Sequence, residues 1–506
     1  MGTQTPASRA SAFIDKMTRR ITGDLEGEDL MRVVWLSTTL FFIVGGYWLL
    51  RSLKDPIMSA INGVEYIPQA KIASLFVVFA LVIVYNKMLD MYPKHHVFYM
   101  MGGVYGVLFA LMGLLLMHPT IGLANEAAHP TRFLGWLSYV TIESFGSMVV
   151  QCFWALVNSS VDVTFAKKNF GLIVAGAQIG SILGPTLATH AETIGITPLY
   201  MLGSVVMFLM VSAMYFYIQR FGPPEEPAEV EKTDKPKKSE GVMEGFYLFW
   251  EHDYVKGIFA VSSLYMVQVT VIDYMMKVLA KERYALLYPD DPQLALRAFA
   301  SFMGYFGQTT NSISFLFSLF GTGAVIQRFG LTATLVAFPS LMLACTLGVW
   351  LLPNIWVVFV VMMVIKGMSY ALLNPTKEIL YQMTGNNIKF KCKSWIDTFG
   401  QRGSKAAGSL ITNAFASSMA DLVNYGSIVG VIIAACMIWV SDYMGKNFEL
   451  LSESGEKVGE PSRQLSAQLA AMQNLKDDTS CGFAEEGQSE EGVELAPLDG
   501  DSQATV

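Results

Sequence analysis

Long uncharged apolar stretches alternate with short polar breaks along most of the chain. Val33–Leu50, Val97–Met117 and Leu331–Ile365 contain no Asp, Glu, Lys or Arg. Runs so long and so bare do not belong to a soluble fold, whereas about 20 apolar residues of helix cross a bilayer core. The pattern predicts twelve spanning helices, near 32–55, 67–88, 96–117, 131–158, 166–189, 195–219, 254–280, 293–327, 331–352, 354–380, 395–418 and 421–444. The eighth is overlong, and Gly304–Gln308 is where it is expected to break or tilt.

Gly222–Glu244 separates the sixth and seventh spans and is rich in Pro, Glu and Lys, which predicts a flexible linker. The expected plan is an N-terminal segment (1–31), a six-helix half (32–220), a charged linker (221–253), a second six-helix half (254–445) and an acidic, disordered tail (446–506). Within the tail, Leu465–Leu475 carries the pattern of a short amphipathic helix. Basic residues sit before the first span (Lys16, Arg19, Arg20) and in alternate connections (Lys87, Lys94; Lys167, Lys168; Lys232, Lys235, Lys237, Lys238; Lys377, Lys389, Lys391, Lys393). Most intervening loops, such as Ser59–Tyr66 and Glu192–Pro198, have none, although Lys277, Lys281, Arg283 and Arg297 crowd the seventh. This bias places both termini in the cytosol.

An internal repeat supports two halves. Ala155-Leu156-Val157-Asn158 closes the fourth span and Ala371-Leu372-Leu373-Asn374 the tenth, 216 positions later. Lys167, Gly176 and Gly184 recur as Lys391, Gly400 and Gly408 at an offset of 224. The fold class that follows is an all-α membrane protein, twelve transmembrane helices in two six-helix halves, major-facilitator-like. Such carriers hold substrate near the midplane between the halves.

Composition changes little. The chain is 53% hydrophobic with a net charge of −7, and its mean hydropathy is +0.41. From Lys446 onward there are 13 acidic and 4 basic residues, so the rest of the chain is near +2 and the acidic balance says nothing of a ligand. Five scattered cysteines form no metal or disulfide pattern. No phosphate-binding Gly-x-x-x-x-Gly-Lys-Ser/Thr loop is present, which argues against ATP hydrolysis as an energy source. No catalytic constellation, cofactor or nucleic-acid partner is expected.

Charge within apolar helices is the strongest functional signal, because each such group costs at least ~2.5–3.5 kcal/mol at bilayer depth. Lys54, Glu143, Asp273 and Lys405 are in this position, with Lys366 and Arg402 beside them. Lys54 can alternatively snorkel from a helix end, with Arg51 and Asp55 nearby. Glu143 can serve a structural ion pair or proton coupling. Asp273 can pair with Lys277 one turn on. Arg402 and Lys405 share a helix face and replace Gln178 and Ser181 of the first repeat, an asymmetry that suits a polyanion. Tyr370, Tyr274 and Trp154 are candidates for stacking on a ring, with packing as the competing role.

Three stretches carry a family resemblance: Arg51-Ser52-Leu53-Lys54-Asp55; Tyr370-Ala371-Leu372-Leu373-Asn374-Pro375-Thr376-Lys377-Glu378; and Lys391-Cys392-Lys393-Ser394-Trp395-Ile396-Asp397 with Lys405-Ala406-Ala407-Gly408-Ser409. Over about 32–445 the chain resembles the nucleotide transporter family, the ATP/ADP translocases of plastids and obligate intracellular bacteria. The resemblance implies a Lys, Glu, Glu, Lys set at Lys54, Glu143, Asp273 and Lys405, with Asp273 shorter than the usual Glu by about 1.5 Å of reach. It also implies an antiporter exchanging ATP for ADP plus phosphate by alternating access. A monomeric multi-pass carrier in a lipid bilayer is expected, in an internal, plasma or bacterial inner membrane. A broader or proton-coupled nucleotide importer and a transport-incompetent receptor or scaffold are the competing expectations. Lys377 is read as a loop residue, where a conservative change is expected to harm ATP uptake much less than Lys405→Ala does.

Overall fold

The computed structural model describes residues 27–224, 242–320, 322–385, 388–416 and 418–460. The basic residues before the first span, most of the linker and the Leu465–Leu475 pattern lie outside the described residues. The first half contains α1 (Glu28–Ile61), α2 (Ile67–Met91), α3 (Lys94–Leu116), α4 (Phe133–Ser160), α5 (Val163–Ala188) and α6 (Ile196–Phe221). After α7 (Val242–Glu251) come α8 (Asp253–Leu287), α9 (Pro292–Phe320), α10 (Thr322–Leu351), α11 (Ile355–Met368), α12 (Asn374–Leu380), α13 (Gln401–Ala414) and α14 (Met419–Ser454).

Local chemistry sets several ends. The Asp162 carboxylate accepts from Phe165 N at 3.3 Å and starts α5. Asn354 does the same for Trp356 N at 2.9 Å and starts α11. Such caps satisfy backbone donors that the first helical turn leaves free. Among the described residues, nine helices are long and apolar enough to cross a membrane. The remaining expected passes are α9, the run through α11 and α12, and the run ending in α13. The last two are interrupted by π-helical turns, so α11, though strongly apolar, and α13 are each only 14 residues long.

Ser369–Leu373 is a π-helical turn joining α11 to α12. Pro375 follows closely; it has no N–H for the Ala371 carbonyl and its ring crowds that group, so the helix widens. Two more π-helical turns, Ile388–Cys392 and Ile396–Gly400, precede α13.

The structure revises four expectations. First, α9 runs unbroken through Gly304–Gln308. The irregularity falls instead at Gly330, whose φ of 79° suits a residue without Cβ and divides a short leading piece of α10 from the ninth pass. Second, the end of the expected linker is helical: α7 packs Phe246, tilted, and Phe249, stacked, against Trp395, with ring centroids 5.4 and 5.5 Å apart. Third, α14 continues past Lys446 to Ser454. Beyond it Val458 N donates to Met383 O (2.9 Å) and Gly385 N to Val458 O (2.8 Å), tying the following residues to the α12 end. Fourth, Lys377 is no loop residue. It is buried in α12, and its Nζ donates to Asp397 Oδ1 at 3.0 Å.

Small residues bring α1 against α5. A Cβ at Gly184 would lie 2.1 Å from Gly45 O, so the two backbones touch, as membrane helices with small residues allow. The halves meet mainly on the side remote from Glu28 and Ser454. There Lys277 Nζ pairs with Asp55 Oδ2 at 3.0 Å. Gln69 Nε2 donates to Asn413 Oδ1 at 3.2 Å, and Gln293 Nε2 donates to Leu123 O at 2.6 Å. Met58, Ile67 and Tyr139 of the first half join the apolar core of the second.

Candidate functional site

A cavity of about 240 Å³ lies between the halves. Lys54, Glu143, Asp273, Lys366, Arg402 and Lys405, all expected from sequence, line it together. Arg51, Lys71 and Lys277 add three cations, making seven cationic side chains around two carboxylates. Lys54 and Lys405 therefore face one shared void and not lipid headgroups.

Glu143, on α4, is bonded to Lys54 Nζ on α1. Lys54 is itself buried, donates to Tyr139 Oη at 3.2 Å and lies 4.2 Å from that ring's centroid. The snorkelling alternative is thus excluded, because the ammonium turns inward to a carboxylate and a π face. In the second half Asp273 gathers three lysines. Its Oδ2 accepts from Lys277 (2.6 Å) and Lys71 (3.2 Å), and its Oδ1 from Lys366 (2.9 Å). The local Asp273–Lys277 pair is present, but Lys277 also reaches Asp55 across the interface. Buried and hydrogen-bonded pairs of this kind keep charge inside a low-dielectric bundle.

Three cations stand apart. Among the described residues, Arg51, Arg402 and Lys405 have no carboxylate within ion-pair distance. Arg51 Nη1 donates to Tyr47 Oη at 2.5 Å, and Arg402 donates to Ser147 across the halves. Gly408 brings α13 against α8, where an added Cβ would lie 2.9 Å from Val267 O, and this sets Lys405 facing inward. An anion in the cavity is the complement that this surplus lacks.

Of the three aromatic candidates only Tyr370 lines the cavity. Tyr274 is fully buried elsewhere, and Trp154 packs on Phe170 with ring centroids 5.2 Å apart. Sequence reasoning passed over Lys71. It stands near the start of α2, in the place of an interfacial lysine, and only the packing of α2 toward α8 turns it inward. Its one sequence signal is a single charge within Ile67–Leu81.

The fold is shared with solved transporters. A bacterial homologue of the iron transporter ferroportin in the inward-facing state superposes with a TM-score of 0.61 at 12% identity, covering 83% of this chain and all of that one. The nucleoside transporter NupG gives 0.55 at 12% identity over 84% and 99%. Sequence relatives are closer. ADP,ATP carrier protein 1 of Chlamydia muridarum (strain MoPn / Nigg) is 28% identical over 87% of this chain and 92% of its own length. The chloroplastic ADP,ATP carrier protein 1 of Arabidopsis thaliana is 25% identical over 94% and 82%. ADP,ATP carrier protein 1 of Rickettsia bellii (strain RML369-C) is 23% identical over 89% and 99%. Residues 9–448 match the model of the TLC ATP/ADP transporter family, and the chain, a helical bundle with a cationic cavity between two halves, belongs to that family.

Proposed function

We propose that this protein exchanges ATP for ADP plus phosphate across its membrane by alternating access, as a monomer with both termini in the cytosol. One observation carries the reading: Arg51, Arg402 and Lys405, which lack carboxylate partners among the described residues, face one cavity between the halves. The chlamydial, rickettsial and chloroplast relatives are named ADP,ATP carriers. In this reading the two halves, 32–220 and 254–445, move against each other.

The roles follow from charge. Without substrate, Glu143 holds Lys54, and Asp273 holds Lys366, Lys71 and Lys277. Phosphate oxygens contact Arg51 and Lys54 from one half and Lys366, Arg402 and Lys405 from the other. A polyanion thereby draws the halves together over itself. When it leaves, the carboxylates take the lysines back, so the empty carrier can also change face. ATP carries about one more negative charge than ADP, so phosphate accompanying ADP brings the charge moved each way closer to balance.

A charge-assisted hydrogen bond contributes about 1.5–3 kcal/mol, so losing one weakens binding roughly 10–100-fold. Purified protein in liposomes loaded with ADP tests this. Lys405→Ala abolishes or strongly reduces labelled ATP uptake, and Lys446→Ala, at an exposed lysine paired with Asp442, leaves it unchanged. Equal uptake by the two variants rejects the assignment. Uptake that needs no internal ADP and stops with an uncoupler replaces exchange by proton-coupled import.

A further inference from the structure

We propose that a side lobe beside the central cavity is a nucleobase subsite, with Gln178 reading the edge of the base and Tyr370 and Trp48 offering it flat faces. The inference rests on the nucleotide reading above and deepens it. The lobe is a second cavity of about 440 Å³. It shares Arg51 and Tyr370 with the central cavity, so the two adjoin across those side chains.

The linings differ in kind. The central cavity is cationic. The lobe has Arg51 as its single charged lining residue, with the rings of Tyr47, Trp48 and Tyr370 and the amides of Gln178 and Asn311. Phosphates call for cations. A purine calls for π faces and a few neutral donors and acceptors. The order of the lobes matches the order of groups in a nucleotide, with Arg51 at the junction.

The aromatic wall is preset. A Cβ at Gly146 would lie 2.2 Å from Tyr47 Cε2, so the glycine makes room for that ring. Tyr47 Oη accepts from Arg51 at 2.5 Å, and the Arg51 guanidinium stands 5.1 Å from the centroid of Trp48. Tyr370 is 44% exposed, an uncommon state for a tyrosine on a π-helical turn deep in a bundle.

Gln178 supplies the reading group. Among the described residues its side-chain amide has no hydrogen-bond partner, whereas Asn311 Nδ2 is committed to Ser181 O at 2.6 Å. An amide sets a donor beside an acceptor, which complements the exocyclic amino group and the adjacent ring nitrogen of adenine. The repeat adds a second reason: Gln178 occupies the position that Arg402 holds in the other half. One half thus presents a phosphate-binding cation and the other a neutral reader at equivalent places.

Exchange by the full-length protein in liposomes tests the subsite, with ATP, GTP and CTP as competitors and inorganic tripolyphosphate as a probe of the phosphate lobe alone. Gln178→Leu and Tyr370→Leu are expected to weaken ATP about tenfold and to flatten the ranking of bases, with tripolyphosphate inhibition kept within about twofold; Tyr370→Phe, which retains the ring, restores ATP affinity. Loss of ATP and tripolyphosphate affinity in equal measure overturns the proposal, because the defect then lies in the phosphate lobe or the fold. An unchanged base ranking in both leucine variants also overturns it, while Lys405-dependent exchange would still support the carrier reading. A wild-type protein that moves no nucleotide removes both.

Discussion

Asp273 receives three ammonium groups on two oxygens. A shorter carboxylate than the family's usual Glu therefore still anchors both its own half, through Lys277 and Lys366, and the opposite half, through Lys71. Asp273→Asn is expected to leave these lysines short of an acceptor and to cost about 3–5 kcal/mol, the range for breaking a buried pair. Thermal unfolding of purified protein measures it, and an unshifted midpoint would refute the anchoring role. Asp273→Glu keeps the charge and is expected to keep exchange, with altered apparent affinity. At this scale the intramembrane charges were legible, because an unpaired charge at depth is too costly to be incidental. Lys71 and the second bond of Lys277 were not, since a lysine near a helix end has a cheap alternative in reaching for the interface.

Helices and their order were readable from hydropathy, and the fine breaks were not. Gly304 looked like a weak point, yet a Cβ there would lie 2.5 Å from Thr189 N; its smallness serves contact between α9 and the end of α5. Gly330 is the true interruption because its φ is positive. One residue type thus has two uses, close packing and left-handed backbone, which composition does not separate. The same logic yields a stability prediction. Gly184→Val forces α1 and α5 apart and is expected to destabilise by at least the 1–3 kcal/mol typical of overpacking. Gly348→Ala, where nothing lies within 4 Å of the added carbon, is expected to be neutral or mildly stabilising. Thermal midpoints in detergent compare the two, and equal midpoints would refute the packing role.

At the scale of the molecule, the seal on the side remote from the termini is the part that alternating access must undo. Gln69 and Asn413 meet across it at 3.2 Å. A short cleavable thiol cross-linker between Gln69→Cys and Asn413→Cys is expected to stop exchange, and cleavage is expected to restore it; each single variant is the control. Continued exchange with the cross-link in place would show that these ends need not part. The tail gives a further prediction. Truncation after residue 460 preserves exchange, whereas truncation at 450 removes Val458, whose backbone bonds Met383 and Gly385, and lowers the thermal midpoint. Both are read on the purified truncations, and equal midpoints would refute the docking role of 455–460.

Sequence by itself pointed to a membrane-spanning helical chain with an internal repeat and to six charged residues that line one cavity, since each rests on a transfer free energy or a spacing that the chain carries locally. Tertiary structure decided which charges pair, which side is closed, that Lys377 is buried, and that aromatic and amide groups from α1, α5 and α9 form a lobe beside the cationic chamber. Those outcomes depend on which helix faces meet across the two halves, and hydropathy scores how apolar a face is without naming its neighbour.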